Sequence, residues 1–140
     1  MDVDSKKKVI LITGTSKGIG FYLTNHYIKK NCIVIGCSRA NNNYKNKNYY
    51  HYTLNVSDEN KVLKMFLEIR KKFKKLDVLI NNAGIASMNH SLLTPMTTVK
   101  NILSTNIEGT FLMSREASKI MQNKKFGRII NFSTVAVPLN

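Results

Sequence analysis

Residues Thr13 to Gly20 read T-G-T-S-K-G-I-G and follow the apolar run Val9-Ile10-Leu11-Ile12. A buried strand that enters a glycine-spaced turn and then opens a helix can hold the pyrophosphate of a dinucleotide. Gly14, Gly18 and Gly20 would let the backbone turn tightly, approach a phosphate and pack the helix on the strand. The helix N-terminus adds unpaired N–H groups and the positive end of its dipole. The spacing here, G-x-x-x-G-x-G, is not the G-x-G-x-x-G of the common dehydrogenase fingerprint. Such a turn also serves ordinary strand-to-helix connections, so other segments must decide its meaning.

Three other segments point the same way. A second apolar run, Leu76 to Ile80, ends in Asn81-Asn82-Ala83-Gly84; Asn106 sits in T-N-I-E-G within a helical stretch; and Gly127 to Thr134 reads G-R-I-I-N-F-S-T. Together with the glycine turn, these motifs resemble the short-chain dehydrogenase/reductase family, in the branch similar to 3-oxoacyl-carrier-protein reductases. The resemblance runs from about Lys8 to Thr134. It implies a nicotinamide dinucleotide held by Gly14, Thr15, Ser16, Lys17, Gly18, Ile19 and Gly20. It further implies that Asn55 and Val56 contact the adenine, and that Asn82, Ala83 and Gly84 face the cofactor ribose.

Cofactor choice follows from charge. An NAD-preferring site places a carboxylate near the end of the second strand, where it accepts from the ribose hydroxyls. Here that region reads Gly36-Cys37-Ser38-Arg39, without a carboxylate. Arg39 can fork onto a 2′-phosphate, Lys17 adds a second cation, and Ser38 stands beside them. The expectation is NADP(H) in preference to NAD(H).

The family's catalytic set is asparagine, serine, tyrosine and lysine. Hydride arrival at a carbonyl develops alkoxide charge, which needs donors and a proton source already in place. Asn106 matches the asparagine, a position that also suits a residue bending a helix or satisfying buried backbone. The serine position falls on Thr134, with Ser133 beside it, and strand alternation allows only one of them to face the cleft. Thr134 is preferred. The tyrosine and lysine positions fall beyond Asn140, and Tyr44, Tyr49, Tyr50 and Tyr52 cluster on the adenine side, where none can substitute. Residues 1–140 are therefore expected to be one Rossmann-type domain unit, the front part of a longer oxidoreductase acting on a carbonyl or alcohol substrate. A noncatalytic dinucleotide-binding module lacking the tyrosine and lysine is the alternative. A homodimer or homotetramer is what the resemblance implies for a complete chain.

Composition narrows the partners. The 140 residues carry a net charge of +14, which suggests nucleic acid or an anionic surface. The lysines nevertheless lie at helix ends and loops, as at Lys29-Lys30, Lys71-Lys72 and Lys124-Lys125, without interleaved aromatics. Cations at helix C-termini complement the dipole, so neither nucleic acid nor membrane is an expected partner. Cys32 and Cys37 flank a strand. Five strand residues span roughly 16 Å, too far for a disulfide. Free thiols, with no signal peptide or membrane-length apolar stretch, fit a reducing cytoplasm. His26, His51 and His90 have no metal-ligand spacing, so no metal site is expected.

Alternating elements complete the reading. Strands are expected near 8–13, 33–37, 50–54, 76–81 and 128–132. Helices are expected near 18–30, with Ile19, Tyr22, Leu23 and Tyr27 recurring, and after Ser57 as N-cap, with Val62, Met65, Phe66, Ile69 and Phe73 on one face. One long helix over about 98–121 carries Ile102, Leu103, Ile107, Phe111 and Met113. The fold class is α/β: a doubly wound parallel sheet ending at the fifth strand, with right-handed crossovers. The resemblance implies strand order 3-2-1-4-5, which leaves Ile129-Ile130-Asn131-Phe132 on an uncovered edge prone to self-association.

Overall fold

The computed structural model describes residues 6–134. Five strands form one parallel sheet in the order β3-β2-β1-β4-β5. They are β1 Val9–Thr13, β2 Ile33–Ser38, β3 Tyr49–Thr53, β4 Val78–Asn81 and β5 Arg128–Asn131. The helices are α1 Gly18–Lys29, α2 Glu59–Phe73, α3 Met96–Leu103 and α4 Gly109–Gln122, with a 3₁₀ turn at Ser91–Leu93. The expected class and strand order are both observed.

Strand periodicity divides the core between the two faces of the sheet. Val9, Leu11, Ile33, Ile35 and Leu79 pack with Val62, Met65, Phe66 and Ile69 of α2 and with Met113, Ala117 and Ile120 of α4. Ile10, Ile12, Val34 and Ile80 point the other way, where Leu23, Tyr27 and Ile28 of α1 cover them. The apolar face read for α2 is buried throughout.

Local structure corrects the sequence reading in three places. Asp58, not Ser57, caps α2, accepting at 3.1 Å from the Lys61 N–H. Ser57 instead uses its own N–H on the Asn55 side chain at 3.3 Å, an Asx turn that delays the helix by one residue. In α1, Ile19 and Tyr22 are exposed, while Leu23 and Tyr27 pack on the sheet together with the buried Gly20 and Thr24, whose small side chains let the helix lie close. The single long helix is α3 and α4 joined through a π-helical segment, Ser104–Glu108. Its wider turn shifts the phase of the apolar stripe. Leu103, Ile107 and Phe111 face outward, while Leu112, Met113, Glu116 and Ala117 pack inward.

Candidate functional site

The C-terminal ends of β1, β2, β3 and β4 open on a cleft of about 720 Å³. At its floor the chain leaves β1 through Gly14, whose φ of +74° is left-handed. Gly14 and Thr15 donate their N–H groups to the Cys37 carbonyl at 2.8 and 3.3 Å, bending the turn across the end of β2.

Each motif glycine has its own reason. A Cβ on Gly14 would press on the Ala83 backbone, 3.1 Å away, and one on Gly20 would collide with the Gly14 carbonyl. Gly18 has φ +59°, yet a Cβ there would meet nothing within 4 Å. Packing does not require a glycine at Gly18. Its backbone conformation does, and the open space beside it leaves room for a ligand. Lys17 is the N-cap residue of α1 and offers no side-chain cap, so the first-turn N–H groups are not taken by it. These features fit a bound pyrophosphate.

Thr13 ties the glycine turn to the Asn82-Ala83-Gly84 turn. Its hydroxyl, on a residue only 2% exposed, accepts from the N–H groups of Asn82 and Ala83 at 2.9 and 2.8 Å. The Asn82 side chain returns a bond to the Thr13 carbonyl at 2.9 Å. Thr13 was missed as a site-building residue. Its signal was a threonine closing an otherwise apolar buried strand, where the hydroxyl must find a partner.

Asn106 lies inside the π-helical segment. Its side chain donates to the Ile85 carbonyl and accepts from the Ile85 N–H, both at 2.9 Å. One amide therefore satisfies a whole backbone residue and holds the loop after β4 against the helix. Both properties anticipated for this asparagine, a distorted helix and a satisfied backbone group, occur together.

The cleft collects most of the residues singled out from the sequence. Gly14, Ser16, Lys17 and Gly18 line one wall; Ser38 and Arg39 line the β2 end; Asn55 and Val56 line the β3 end; Asn82, Ala83 and Gly84 close the fourth side. Cys37, Leu54, Ile85 and Thr105 also line it and were not anticipated. Thr15 and Gly20 are buried behind the lining, and Ile19 is exposed on α1 outside it. Ser133 and Thr134 both lie past the last ladder residue of β5 and are exposed. Strand alternation therefore does not choose between them.

Electrostatically the cleft is cationic. Among the described residues no carboxylate lines it, and neither Arg39 nor Lys17 forms an ion pair with one. Cys32 and Cys37 are buried free thiols, and burial pushes Cys37 up to about 12, so it is inert as a nucleophile. Among the described residues no acidic, histidine or cysteine cluster could hold a metal, and no helix is long and apolar enough to cross a membrane.

A parallel sheet with a glycine turn and a ligand cleft at its carboxyl edge defines the class of dinucleotide-binding α/β proteins. Within that class, residues 8–138 match the model of the short chain dehydrogenase family. The chain belongs to that family. It is 32% identical to the 3-oxoacyl-[acyl-carrier-protein] reductase FabG of Buchnera aphidicola in an alignment that covers 93% of this chain and 56% of that one. Among solved structures, ElxO Y152F with NADPH bound superposes with a TM-score of 0.86 at 35% identity, covering 92% of this chain and 56% of that one. A short chain dehydrogenase from Leptospira borgpetersenii with bound NAD+ gives 0.87 at 25% identity, covering 92% and 52%. The chain thus spans about half the length of the relatives it matches.

Proposed function

We propose that this chain supplies the dinucleotide-binding part of an oxidoreductase that uses NADP(H) in preference to NAD(H). Residues 1–140 would act as one Rossmann-type unit, and the whole protein would act on a carbonyl or alcohol substrate. The observation that carries the cofactor preference is the cleft lining, where Arg39 at the β2 end and Lys17 on the glycine-turn wall stand without a carboxylate partner among the described residues. That wall suits a dianionic 2′-phosphate and offers no acceptor for ribose hydroxyls. Relatives with NADPH and with NAD+ share the fold, so the preference rests on these side chains rather than on resemblance.

The other assignments follow from position. Ser16, Lys17, Gly18 and the first turn of α1 would take the pyrophosphate, with Thr15, Ile19 and Gly20 shaping the turn and helix behind them. Asn55 and Val56 would flank the adenine, and Asn82 to Gly84 the second ribose. When bound, the nicotinamide supplies the hydride-transfer chemistry. Asn106 would hold the Ile85 loop that borders the cleft, and Thr134 would offer a hydroxyl donor to the substrate oxygen. Buried free thiols at Cys32 and Cys37 support a reducing compartment such as the cytoplasm. The outward Leu103, Ile107 and Phe111 support self-association into a dimer or tetramer.

The test is Arg39→Asp in the intact gene product. Titration with both reduced cofactors should show the NADPH:NADH affinity ratio falling at least about tenfold, as expected for loss of a charge-assisted fork and gain of repulsion. An unchanged ratio would refute the 2′-phosphate assignment.

A further inference from the structure

The cleft wall around Arg39 is held from behind by a polar chain that the motifs do not include. Tyr49 and His51 lie two apart on β3 and so project to the same side of the sheet. The Tyr49 hydroxyl donates to the Thr15 hydroxyl at 3.1 Å and stands 2.9 Å from His51 Nδ1. On the far side of the imidazole, Nε2 is 3.3 Å from both the Ser38 hydroxyl and the Ala40 carbonyl. The Ser38 hydroxyl itself donates to that carbonyl at 2.7 Å. Asn42 closes the ring, donating to the Thr15 carbonyl at 3.1 Å and to the Tyr49 hydroxyl at 3.4 Å.

We propose that His51 is a positioning residue for cofactor 2′-phosphate recognition, acting through the Ser38–Asn42 segment that carries Arg39. The inference rests on the NADP(H) reading above and deepens it. Arg39 lies between Ser38 and Ala40, both held against His51, and Asn42, three residues further on, is bonded to the glycine turn. In the tautomer with Nε2 protonated, the imidazole donates to the Ala40 carbonyl, and Nδ1 accepts from the Tyr49 hydroxyl when that hydroxyl turns from Thr15, so the ring links the tyrosine to this backbone. Fixing both flanks removes conformations that an arginine on a free loop would have to give up on binding.

The arrangement also accounts for a glycine in the middle of a buried strand. A Cβ on Gly36 would collide with the Tyr49 and Thr15 hydroxyls, so Gly36 opens the space through which the chain passes. His51 does not line the cleft, so its effect on the cofactor must travel through the segment.

The experiment measures NADPH and NADH affinities of the intact gene product and its variants by fluorescence titration. His51→Leu removes both ends of the bridge and should weaken NADPH about tenfold, as expected for a lost hydrogen-bonded tie, while NADH changes about twofold or less. His51→Gln keeps a donor toward Ala40 and should recover most of the lost ratio. That rescue separates positioning from a general packing defect, which would weaken both cofactors alike. If His51→Leu does not fold, Asn42→Ala, which cuts the second anchor, must lower the same ratio. An NADPH:NADH ratio unchanged in the folded variants overturns the inference and leaves the NADP(H) reading standing. Wild-type protein that binds neither cofactor, or prefers NADH, overturns the reading and the inference together.

Discussion

β1 and β5 are built from similar apolar stock, Val-Ile-Leu-Ile-Thr against Arg-Ile-Ile-Asn, yet they occupy opposite environments. Every residue of β1 is buried, and every residue of β5 is exposed, with Ile130 at 43%. β1 is flanked by β2 and β4 and covered on both faces, whereas β5 pairs only with β4 among the described residues. Within the described residues, the contrast shows that hydropathy selects strands while the neighbours that cover them assign their burial. The half of the sheet that builds the cleft is the well-packed half.

The sharpest way to break the comparison is to truncate equivalent apolar side chains in both strands. Leu11→Ala, at a fully buried position, should cost about 2–5 kcal/mol in urea unfolding. Ile130→Ala should cost less than about 1 kcal/mol, because much of that side chain already meets water. Equal losses would show that β5 is covered in solution.

Asn81 joins the two halves, donating to Ser114 at 3.0 Å and to Asn131 at 2.8 Å. Its side-chain Oδ1 is buried without a hydrogen-bond partner among the described residues. Asn81→Ala should cost about 1–3 kcal/mol and loosen β5 more than β1, read as faster amide exchange at Ile129 and Ile130 than at Leu11.

On the α2–α4 side, Glu116 accepts from Arg115 at 2.9 Å and Lys119 at 2.7 Å, while Arg115 also reaches Glu59. Burial alone would raise its pKa, but these hydrogen bonds and charges hold it below the ordinary carboxylate value. A lowered folded pKa contributes stability above the unfolded value, near pH 4.5, and that contribution disappears as pH falls through the folded value. Glu116→Gln should therefore cost about 1–2 kcal/mol at pH 7 and progressively less below pH ~4.5, measured by unfolding at several pH values.

The smallest effect is on association. Ile130→Lys places a charge on the exposed strand and should lower the apparent mass of the 140-residue chain in concentrated solution, by light scattering, without lowering its melting temperature by more than a few degrees.

Much of this molecule was legible as a sequence. The glycine turn and the buried face of α2 were anticipated because each depends on a compact motif or on local periodicity, whereas the strand order came only through the family resemblance. The long helix over 98–121 was anticipated but the π turn inside it was not, because an inserted π turn leaves composition unchanged. The Asp58 cap differed from Ser57 because both residue types suit the position, and only the Asn55 turn before them selects one.

At the site, the amino-acid sequence determined which chemistry is present: glycines, an unopposed Arg39, and an asparagine in mid-helix. Tertiary structure alone decided how those groups are held. Thr13 welding two turns, Asn106 grasping Ile85 and His51 reaching Ser38 and Ala40 are contacts across separate segments. Residue spacing cannot encode a hydrogen bond between strands whose order and register are set by the packing of the whole sheet.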